Sequence, residues 1–303
     1  MKKILVIGAS GFIGRQLTTA LLAAGYAVRC LARNVAKVAD LTAAGCEIMP
    51  GDIADLASVQ RAAAAVEAVY ISIHTLSPQP GSGAGARFMD VEKTGVQNVI
   101  TACRAAGVRR VIYVTSLGIS PDERSEWLRE RWHTEQLLLT SGLDATVIRP
   151  GFVIGVGGLG FDTVVGNAKR RVAFSLSGDR PRMRTIAVDD LVYYLVGVLD
   201  EPRTYGQGYD VGNDNLLSTN QLIDGTADLL GRPHPLKLQL PLGLMGAGAP
   251  LIERMGKLAR GTIKGIVEGV KVEMIGNPLP LRALLPRPPL PFRQAVKRAL
   301  AMS

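Results

Sequence analysis

Short apolar runs alternate with amphipathic segments along the first half of the chain. Residues 3–8 form an apolar run that stops at a glycine, and residues 12–24 then place Ile13, Leu17 and Leu21 at helical spacing. The same alternation continues to residue 150. It predicts strands at 27–32, 46–49, 68–73, 109–115 and 144–149, and helices near 35–44 and at 55–66, 88–106 and 125–141. Strands that alternate with helices indicate an α/β fold, a doubly wound parallel sheet of the Rossmann type.

The alternation weakens after residue 150. Residues 151–160 hold five glycines, a composition typical of a loop near a ligand. Beyond them the pattern predicts helices near 161–171, 188–200 and 218–231, a strand near 207–212, and a helix around 250–270 followed by extended segments. We therefore expect an NAD(P)-binding domain at 1–155. A smaller substrate lobe with a basic segment rich in proline and leucine follows at 156–303, and the two pack as one unit.

Composition and charge narrow the class of protein. Apolar residues make up 47% of the 303 residues, which is enough for a buried core, and three scattered cysteines favour neither a disulfide framework nor a metal cluster. A reducing, cytoplasmic setting fits this cysteine content. The opening apolar run is too short for a signal peptide, and no stretch is long enough to span a membrane.

The net charge of +9 is concentrated near the C-terminus. From residue 250 onward there are ten basic and three acidic side chains. A solvated surface is the favoured interpretation, and contact of the amphipathic stretch 251–264 with an anionic membrane is the alternative. We expect no nucleic-acid partner and a monomer or homodimer.

The glycines at the first predicted strand-to-helix junction follow a dinucleotide-binding pattern. Glycine is needed where a strand turns sharply and where backbone approaches a pyrophosphate, and the helix N-terminus offers N–H groups to phosphate. The spacing alone indicates little, but its place between a strand and a helix is the required context. A tight turn without a ligand is the alternative. The residues expected to hold the cofactor here are Gly8, Ser10, Gly11, Phe12, Ile13 and Gly14.

An arginine stands near the end of the second predicted strand, where an acid would select NAD. Arg33 can instead pair with a 2′-phosphate, because its guanidinium matches phosphate geometry, and Arg15 could assist. Asp52, followed by Ile53, comes after the third strand, where a carboxylate can accept a hydrogen bond from the adenine amino group. The pattern predicts NADP(H) in preference to NAD(H). The alternatives are that Arg33 only caps a surface turn and that Asp52 only stabilises a turn.

The fourth predicted strand ends beside the expected cofactor crevice. We place Ser72 and Ile73 against the cofactor. His74 follows them and has acid–base chemistry near neutral pH, although a packed or hydrogen-bonding histidine is the favoured interpretation.

Five motifs, taken in order over residues 1–230, resemble the short-chain dehydrogenase/reductase superfamily. The match is to its atypical, extended branch of NAD(P)-binding, epimerase-like proteins. The resemblance implies that Pro150, Gly151, Phe152 and Val153 lie near the nicotinamide, and that Thr115 or Ser116 supplies the hydroxyl of the reaction site. The motifs are residues 8–14, Gly51-Asp52, 111–116, 148–151 and 186–190.

The chain departs from this superfamily at the residues that normally move the proton. The superfamily uses a tyrosine as acid–base group and a lysine four residues later. Aligning the helix on Glu135 and Leu138 puts Trp127 at the tyrosine position and Arg131 at the lysine position. Tryptophan has no titratable proton, while arginine keeps the positive charge and could bind ribose or phosphate. Leu117 is an alternative occupant of the hydroxyl position.

Three explanations remain for the missing proton relay. Another group, such as His74, His133 or Tyr113, takes the role; the substrate needs only hydride delivery; or the protein binds NADP(H) without turnover. His133 follows Arg131 by two residues and so lies off the face that carries Trp127. We favour an NADP(H)-dependent oxidoreductase with a non-standard site and a small, apolar substrate. The alternative is a non-catalytic NADP(H)-binding regulatory or assembly protein.

Overall fold

The computed structural model describes residues 1–73, 88–175, 177–239, 248–250, 253 and 262–301. Its strands are β1 (Lys3–Ile7), β2 (Ala27–Ala32), β3 (Glu47–Pro50), β4 (Ala68–Ile71), β5 (Arg110–Val114), β6 (Asp144–Pro150), β7 (Phe152–Ile154), β8 (Val172–Ser175), β9 (Arg182–Ala187), β10 (Gln207–Val211), β11 (Leu216–Ser218) and β12 (Leu236–Gln239). Its helices are α1 (Phe12–Ala23), α2 (Ala39–Ala43), α3 (Leu56–Ala63), α4 (Phe88–Ala106), α5 (Glu126–Leu139), α6 (Leu159–Ala168), α7 (Val188–Gly197), α8 (Thr219–Leu229), α9 (Thr262–Gly269), α10 (Leu279–Leu284) and α11 (Phe292–Ala301).

Seven parallel strands form the main sheet in the order β10-β6-β5-β4-β1-β2-β3. Successive side chains of a strand point to opposite faces. Ile4 and Val6 of β1 therefore pack with α1 and α7, while Leu5 and Ile7 pack with α3, α4 and α5. Both faces are covered by helices, which confirms the predicted doubly wound α/β fold.

The helix starts follow from local capping. Asp55 precedes α3 and accepts hydrogen bonds from the backbone N–H groups of Ala57 and Ser58, at 3.2 and 3.1 Å. Ser218 precedes α8 and forms a reciprocal capping box with Gln221. Side chains of this kind satisfy N–H groups that have no partner within the helix, and so fix where each helix begins.

A second, smaller group of elements lies on the carboxyl side of β6. It holds a three-stranded sheet, β11-β9-β7, and a two-stranded sheet, β12-β8. Helices α6, α8 and α11 surround its core, which includes Phe161, Ile223 and Phe292. The division predicted between residues 155 and 156 stays a prediction. Two elements from beyond residue 156 belong with the first part: β10 is a strand of the main sheet, and α7 packs on its core.

Two predictions for the C-terminal half were wrong. Residues after 270 are not only extended, since α10 and α11 lie there, and β7 lies within the stretch expected to be a loop. Pro278 and Pro291 precede the two helices rather than breaking them, at positions where the missing N–H costs little. Of the predicted helix at 250–270, residues 250 and 253 are described and are helical, and residues 262–269 form α9.

Among the helices that the structure describes, none combines the length and apolar character needed to cross a bilayer. The basic stretch 251–264, which carried the membrane hypothesis, lies largely outside the described residues.

Candidate functional site

The three glycines of the N-terminal motif form a cradle between β1 and α1. Gly8 has a positive φ of 98°, and a Cβ there would overlap the carbonyl oxygen of Ser72 at the end of β4. A Cβ at Gly14 would overlap the Gly8 carbonyl oxygen. Gly11 begins the helix with no side-chain cap. The turn therefore requires glycine, and the N-terminus of α1 is left for an anionic group.

The other predicted cradle residues lie at the same junction. Phe12 and Ile13 are half-buried at the start of α1, and Ser10 is exposed. A Cβ on Gly155 would lie 2.6 Å from the Phe12 ring, so this ring packs against the glycine-rich stretch that follows β7. Ser72 donates its backbone N–H to the Ile7 carbonyl at 2.9 Å, which fixes the end of β4 beside the cradle.

Arg33 and Asp52 are brought together at the carboxyl ends of β2 and β3. The Arg33 Nε lies 4.0 Å from the Asp52 Oδ2, and the two side chains are 43% and 40% exposed. Solvent screens a pair of this kind, so it contributes little by itself. Asp52 also accepts a hydrogen bond from the Ala54 N–H at 2.9 Å. The two residues assigned to the 2′-phosphate and the adenine are therefore neighbours at this edge.

Arg15 and Ile53 are engaged by the protein itself. The Arg15 guanidinium pairs with Asp40 and donates to the Lys37 carbonyl at 2.6 Å, so it is held on the segment before α2. Ile53 is buried, and its carbonyl accepts a hydrogen bond from Asn98 of α4 at 2.9 Å. Ile73 is half-buried against the same core, and His74 lies outside the described residues.

The ends of β5, β6 and β10 are tied together where the nicotinamide is expected. The Thr115 N–H donates to the Ile148 carbonyl at 2.9 Å, and the Gly151 N–H donates to the Val211 carbonyl at 2.9 Å. Pro150 accepts a hydrogen bond from the Leu117 N–H at 3.0 Å. A Cβ at Gly151 would overlap a backbone carbonyl of β9. The backbone here leaves no room for a side chain.

Three buried polar atoms at this end have no hydrogen-bond partner among the described residues. They are the Thr115 Oγ1, the Ser116 Oγ and the Trp127 Nε1. Most buried polar groups in proteins are paired, since an unpaired one carries the full cost of its lost hydration. These three atoms leave hydrogen-bonding capacity unused at this end of the sheet.

Phe152 and Val153 point to different cores from the short strand β7. Phe152 packs with the smaller lobe, where a Cβ on Gly160 would lie 3.0 Å from its ring. Val153 packs on the core of the main sheet with α1 and α7. Their predicted contact with the nicotinamide stays a prediction.

A buried group of three polar side chains lies between α4, α5 and β5. Arg131 donates from its Nε to the Glu92 Oε1 at 2.9 Å, and the Tyr113 hydroxyl donates to the same oxygen. Arg131 is 2% exposed and the other two are fully buried. Burial, reinforced by the Glu92 charge, raises the pKa of Tyr113 well above its usual value. Tyr113 is therefore unsuited to exchange protons near neutral pH.

Trp127 lies over this group. The Arg131 Cζ is 5.4 Å from the centre of the Trp127 ring, within the range of a cation–π contact. The Arg131 guanidinium therefore lies between Trp127 and Glu92. Its predicted role at the cofactor stays a prediction. His133 is exposed and its ring contacts Trp132, which agrees with its placement off this face.

A covering segment, residues 269–277, lies against the loop that follows β5. A Cβ on Gly269 would lie 3.1 Å from the Trp127 ring, and one on Gly118 would lie 3.1 Å from Val272. The Asn277 N–H donates to Asp210 at 2.8 Å. Asp210 in turn pairs with Arg149, which also pairs with the buried Glu135 of α5. This ion network holds the end of the covering segment to β6 and β10.

Two cavities lie elsewhere in the described part of the chain. One of about 350 Å³ borders the covering segment, and one of about 170 Å³ lies beside Phe12. Neither is lined by Thr115, Ser116 or Trp127. Among the described residues there is also no cluster of three side chains suited to a metal ion.

Sequence reasoning missed Glu92, Asp210 and the covering segment. Glu92 is a charged residue on the buried face of α4, four residues before the buried Val96, and this spacing is the signal that could have found it. Asp210 and residues 269–277 are far from the motifs along the chain, and no local pattern links them to the site. Glu135 was singled out, but only to align the helix, and its pairing with Arg149 was not foreseen.

The comparisons with known proteins agree with this geometry. A family model described as NAD(P)H-binding matches residues 8–202. The NAD(P)H azoreductase of Xenophilus azovorans is 25% identical over 233 residues, which cover 76% of this chain and 74% of that protein. The photosystem II assembly factor Ycf39 of Cyanophora paradoxa is 33% identical over 146 residues, 48% of this chain. The match spans only 44% of the Ycf39 length, less than half of that relative.

Solved structures share the fold. The NADPH-dependent quinone oxidoreductase QOR2 of Escherichia coli, in complex with NADPH, superposes with a TM-score of 0.72 at 20% identity, and the match covers 98% of this chain and 99% of that one. Similarity at this level of identity concerns the architecture of the chain rather than its substrate.

Proposed function

This chain belongs to the NAD(P)H-binding family, and from that premise we propose that it is an NADP(H)-dependent reductase. The observation that carries the proposal is the pair of buried hydroxyls, on Thr115 and Ser116, without a hydrogen-bond partner among the described residues. They lie at the edge of the sheet that also holds the glycine cradle. A carboxamide or a carbonyl group at this place would satisfy both hydroxyls.

In this proposal, residues at the carboxyl edge of the sheet hold each part of a dinucleotide. The cradle of Gly8, Gly11 and Gly14 would hold the pyrophosphate, Arg33 the 2′-phosphate, and Asp52 the adenine. Ser72 follows β4 and Pro150 ends β6, at the same carboxyl edge of the sheet as the cradle. When bound, NADPH supplies a hydride donor. The chain contributes the binding and the orientation.

The described residues around Ser116 offer no side chain suited to move a proton. Trp127 stands where the superfamily has its tyrosine, and Tyr113 is buried against Glu92. A substrate of this site would take its proton from water. Quinones and azo compounds accept a hydride in this way, and the name of the azoreductase relative agrees with this class of acceptor. We therefore propose an electron-poor, largely apolar acceptor.

A direct test measures cofactor binding and turnover. We expect NADPH to bind more tightly than NADH by calorimetry, and to be oxidised when a small quinone or an azo dye is added. Replacing Thr115 with valine and Ser116 with alanine should lower turnover, because no hydroxyl then orients the reactants. Ser120→Ala, in the same loop, is the control, since its hydroxyl accepts a hydrogen bond from the local Asp122 N–H at 3.2 Å. Equal dissociation constants for the two cofactors would contradict the proposed preference.

A second candidate is an NADP(H)-binding protein without turnover, acting in regulation or assembly. The observation that favours it is the covering segment, because residues 269–277 lie over Trp127 and the loop after Ser116. The name of the Ycf39 relative is consistent with an assembly role. Tight NADPH binding with no oxidation by any acceptor would favour this candidate over the reductase.

We also expect little or no oxidation of simple secondary alcohols with NADP. Alcohol oxidation needs a base to take the hydroxyl proton, and Trp127 cannot act as one. The measurement is NADPH formation from an alcohol such as 2-propanol. Robust activity in the purified protein would show that another base has taken over. The double substitution Trp127→Tyr with Arg131→Lys tests the same point by restoring the superfamily pair.

A further inference from the structure

Four apolar side chains form one exposed face of the two-stranded sheet. Leu236 of β12 pairs with Val172 of β8, and Leu238 pairs with Phe174. Residues directly paired on neighbouring strands point to the same face. The exposed fractions are 65% for Leu236, 46% for Leu238, 37% for Val172 and 46% for Phe174. We call these four residues the apolar face.

The opposite face fixes the orientation of this sheet. Ala173 and Ser175 are buried in the smaller lobe. Lys237 pairs with Asp224 of α8 at 2.6 Å. Because the alternate positions are anchored in this way, the apolar face points away from the lobe. The sheet cannot turn over to bury this face.

Four basic side chains lie at the end where both strands begin. The strands are parallel, so their starts meet at one edge. The Leu236 N–H donates to the Arg171 carbonyl at 2.9 Å, and Arg232 donates to the Lys169 carbonyl at 3.0 Å. Within the described residues none of the four forms an ion pair with a carboxylate, and all are exposed. This basic cluster consists of Lys169, Arg170, Arg171 and Arg232.

The size and charge of this surface indicate which kind of partner it fits. A stable interface between two proteins needs about 800 Å² from each partner, more than four side chains provide. An apolar patch beside a basic cluster instead matches the surface of an anionic bilayer, which offers hydrocarbon next to negative headgroups. We propose that the apolar face enters the interfacial layer of an anionic membrane while the basic cluster contacts its headgroups. The residues of this surface are different from those of the stretch 251–264 and of the candidate cofactor site.

Vesicle sedimentation of the full chain tests the proposal. At low salt the protein should bind phosphatidylcholine vesicles that contain phosphatidylglycerol and should not bind pure phosphatidylcholine. Phe174→Ser with Leu238→Ser, and separately Arg170→Glu with Arg171→Glu, should each weaken binding by about tenfold or more. All four residues are exposed, so the thermal unfolding midpoint and NADPH binding should stay unchanged.

Matched controls separate this surface from a general effect. Leu279→Ser removes an apolar side chain that is 63% exposed elsewhere, and Arg61→Glu with Arg104→Glu reverses two exposed arginines of the main domain. Both should bind vesicles like the unmutated protein. No binding to anionic vesicles at low salt would overturn the proposal. The proposal would also be wrong if Lys257→Glu with Arg260→Glu abolished vesicle binding while the Arg170/Arg171 variant bound fully. It would be wrong as well if the protein bound no vesicles and formed a dimer that the Phe174/Leu238 variant converts to a monomer.

Discussion

Replacing Glu92 with alanine is expected to lower the free energy of unfolding by about 3–5 kcal/mol. The substitution leaves the Arg131 guanidinium buried without its carboxylate, and it also removes the acceptor of the Tyr113 hydroxyl. An uncompensated buried charge is among the most destabilising changes in a protein interior, whereas the pair itself adds little net stability. Urea denaturation followed by circular dichroism measures the change.

Two comparisons make this result specific. Lys93→Ala alters the neighbouring exposed position of α4 and should change the free energy of unfolding by less than about 0.5 kcal/mol. Replacing all three partners with apolar residues, as Glu92→Met with Arg131→Met and Tyr113→Phe, should recover most of the lost stability. If Glu92→Ala proved no more harmful than Lys93→Ala, the buried ion pair would not exist in solution.

Arg33→Ala is expected to remove most of the preference for NADPH over NADH. A charge-assisted hydrogen bond to phosphate contributes about 1.5–3 kcal/mol, so the NADPH dissociation constant should rise roughly tenfold to a hundredfold. Binding of NADH, which lacks the 2′-phosphate, should change little. Isothermal titration of both cofactors with both proteins gives the four constants required.

Arg15 provides the matched control for this substitution. It lies on α1 near the cradle, but its guanidinium is held by Asp40 and the Lys37 carbonyl. Arg15→Ala should therefore leave the ratio of the two dissociation constants nearly unchanged. A loss of NADPH preference in Arg15→Ala, with the ratio kept in Arg33→Ala, would reassign the 2′-phosphate contact to α1.

The first half of the fold could be predicted because its determinants are local. An apolar run, a glycine and an amphipathic stretch each leave a pattern within about ten residues, and the strands from β1 to β6 follow it. The strands β7, β8, β9, β11 and β12 have between three and six residues each and depend on distant partners. They also lie outside the regular alternation of strand and helix, so no local pattern marks them as strands. The prolines near α10 and α11 were misinterpreted because proline also starts helices.

The adenine end of the candidate site could be predicted from the sequence, whereas the surroundings of Trp127 could not. Arg33 and Asp52 end adjacent parallel strands, so topology alone brings them to one edge. The group of Glu92, Tyr113 and Arg131 comes from three separate elements and buries a charge, which hydrophobic patterning cannot anticipate. The missing tyrosine was visible in the sequence, but the side chains that surround Trp127 were not.

The covering segment gives the site an order of assembly during synthesis. Residues 8–14 form the cradle and leave the ribosome before residues 269–277, which lie against the loop after Ser116. Because N-terminal units fold first during translation, a nascent chain holds a complete cradle beside an open acceptor end. We therefore expect that the cofactor can bind before the covering segment folds over this end of the site.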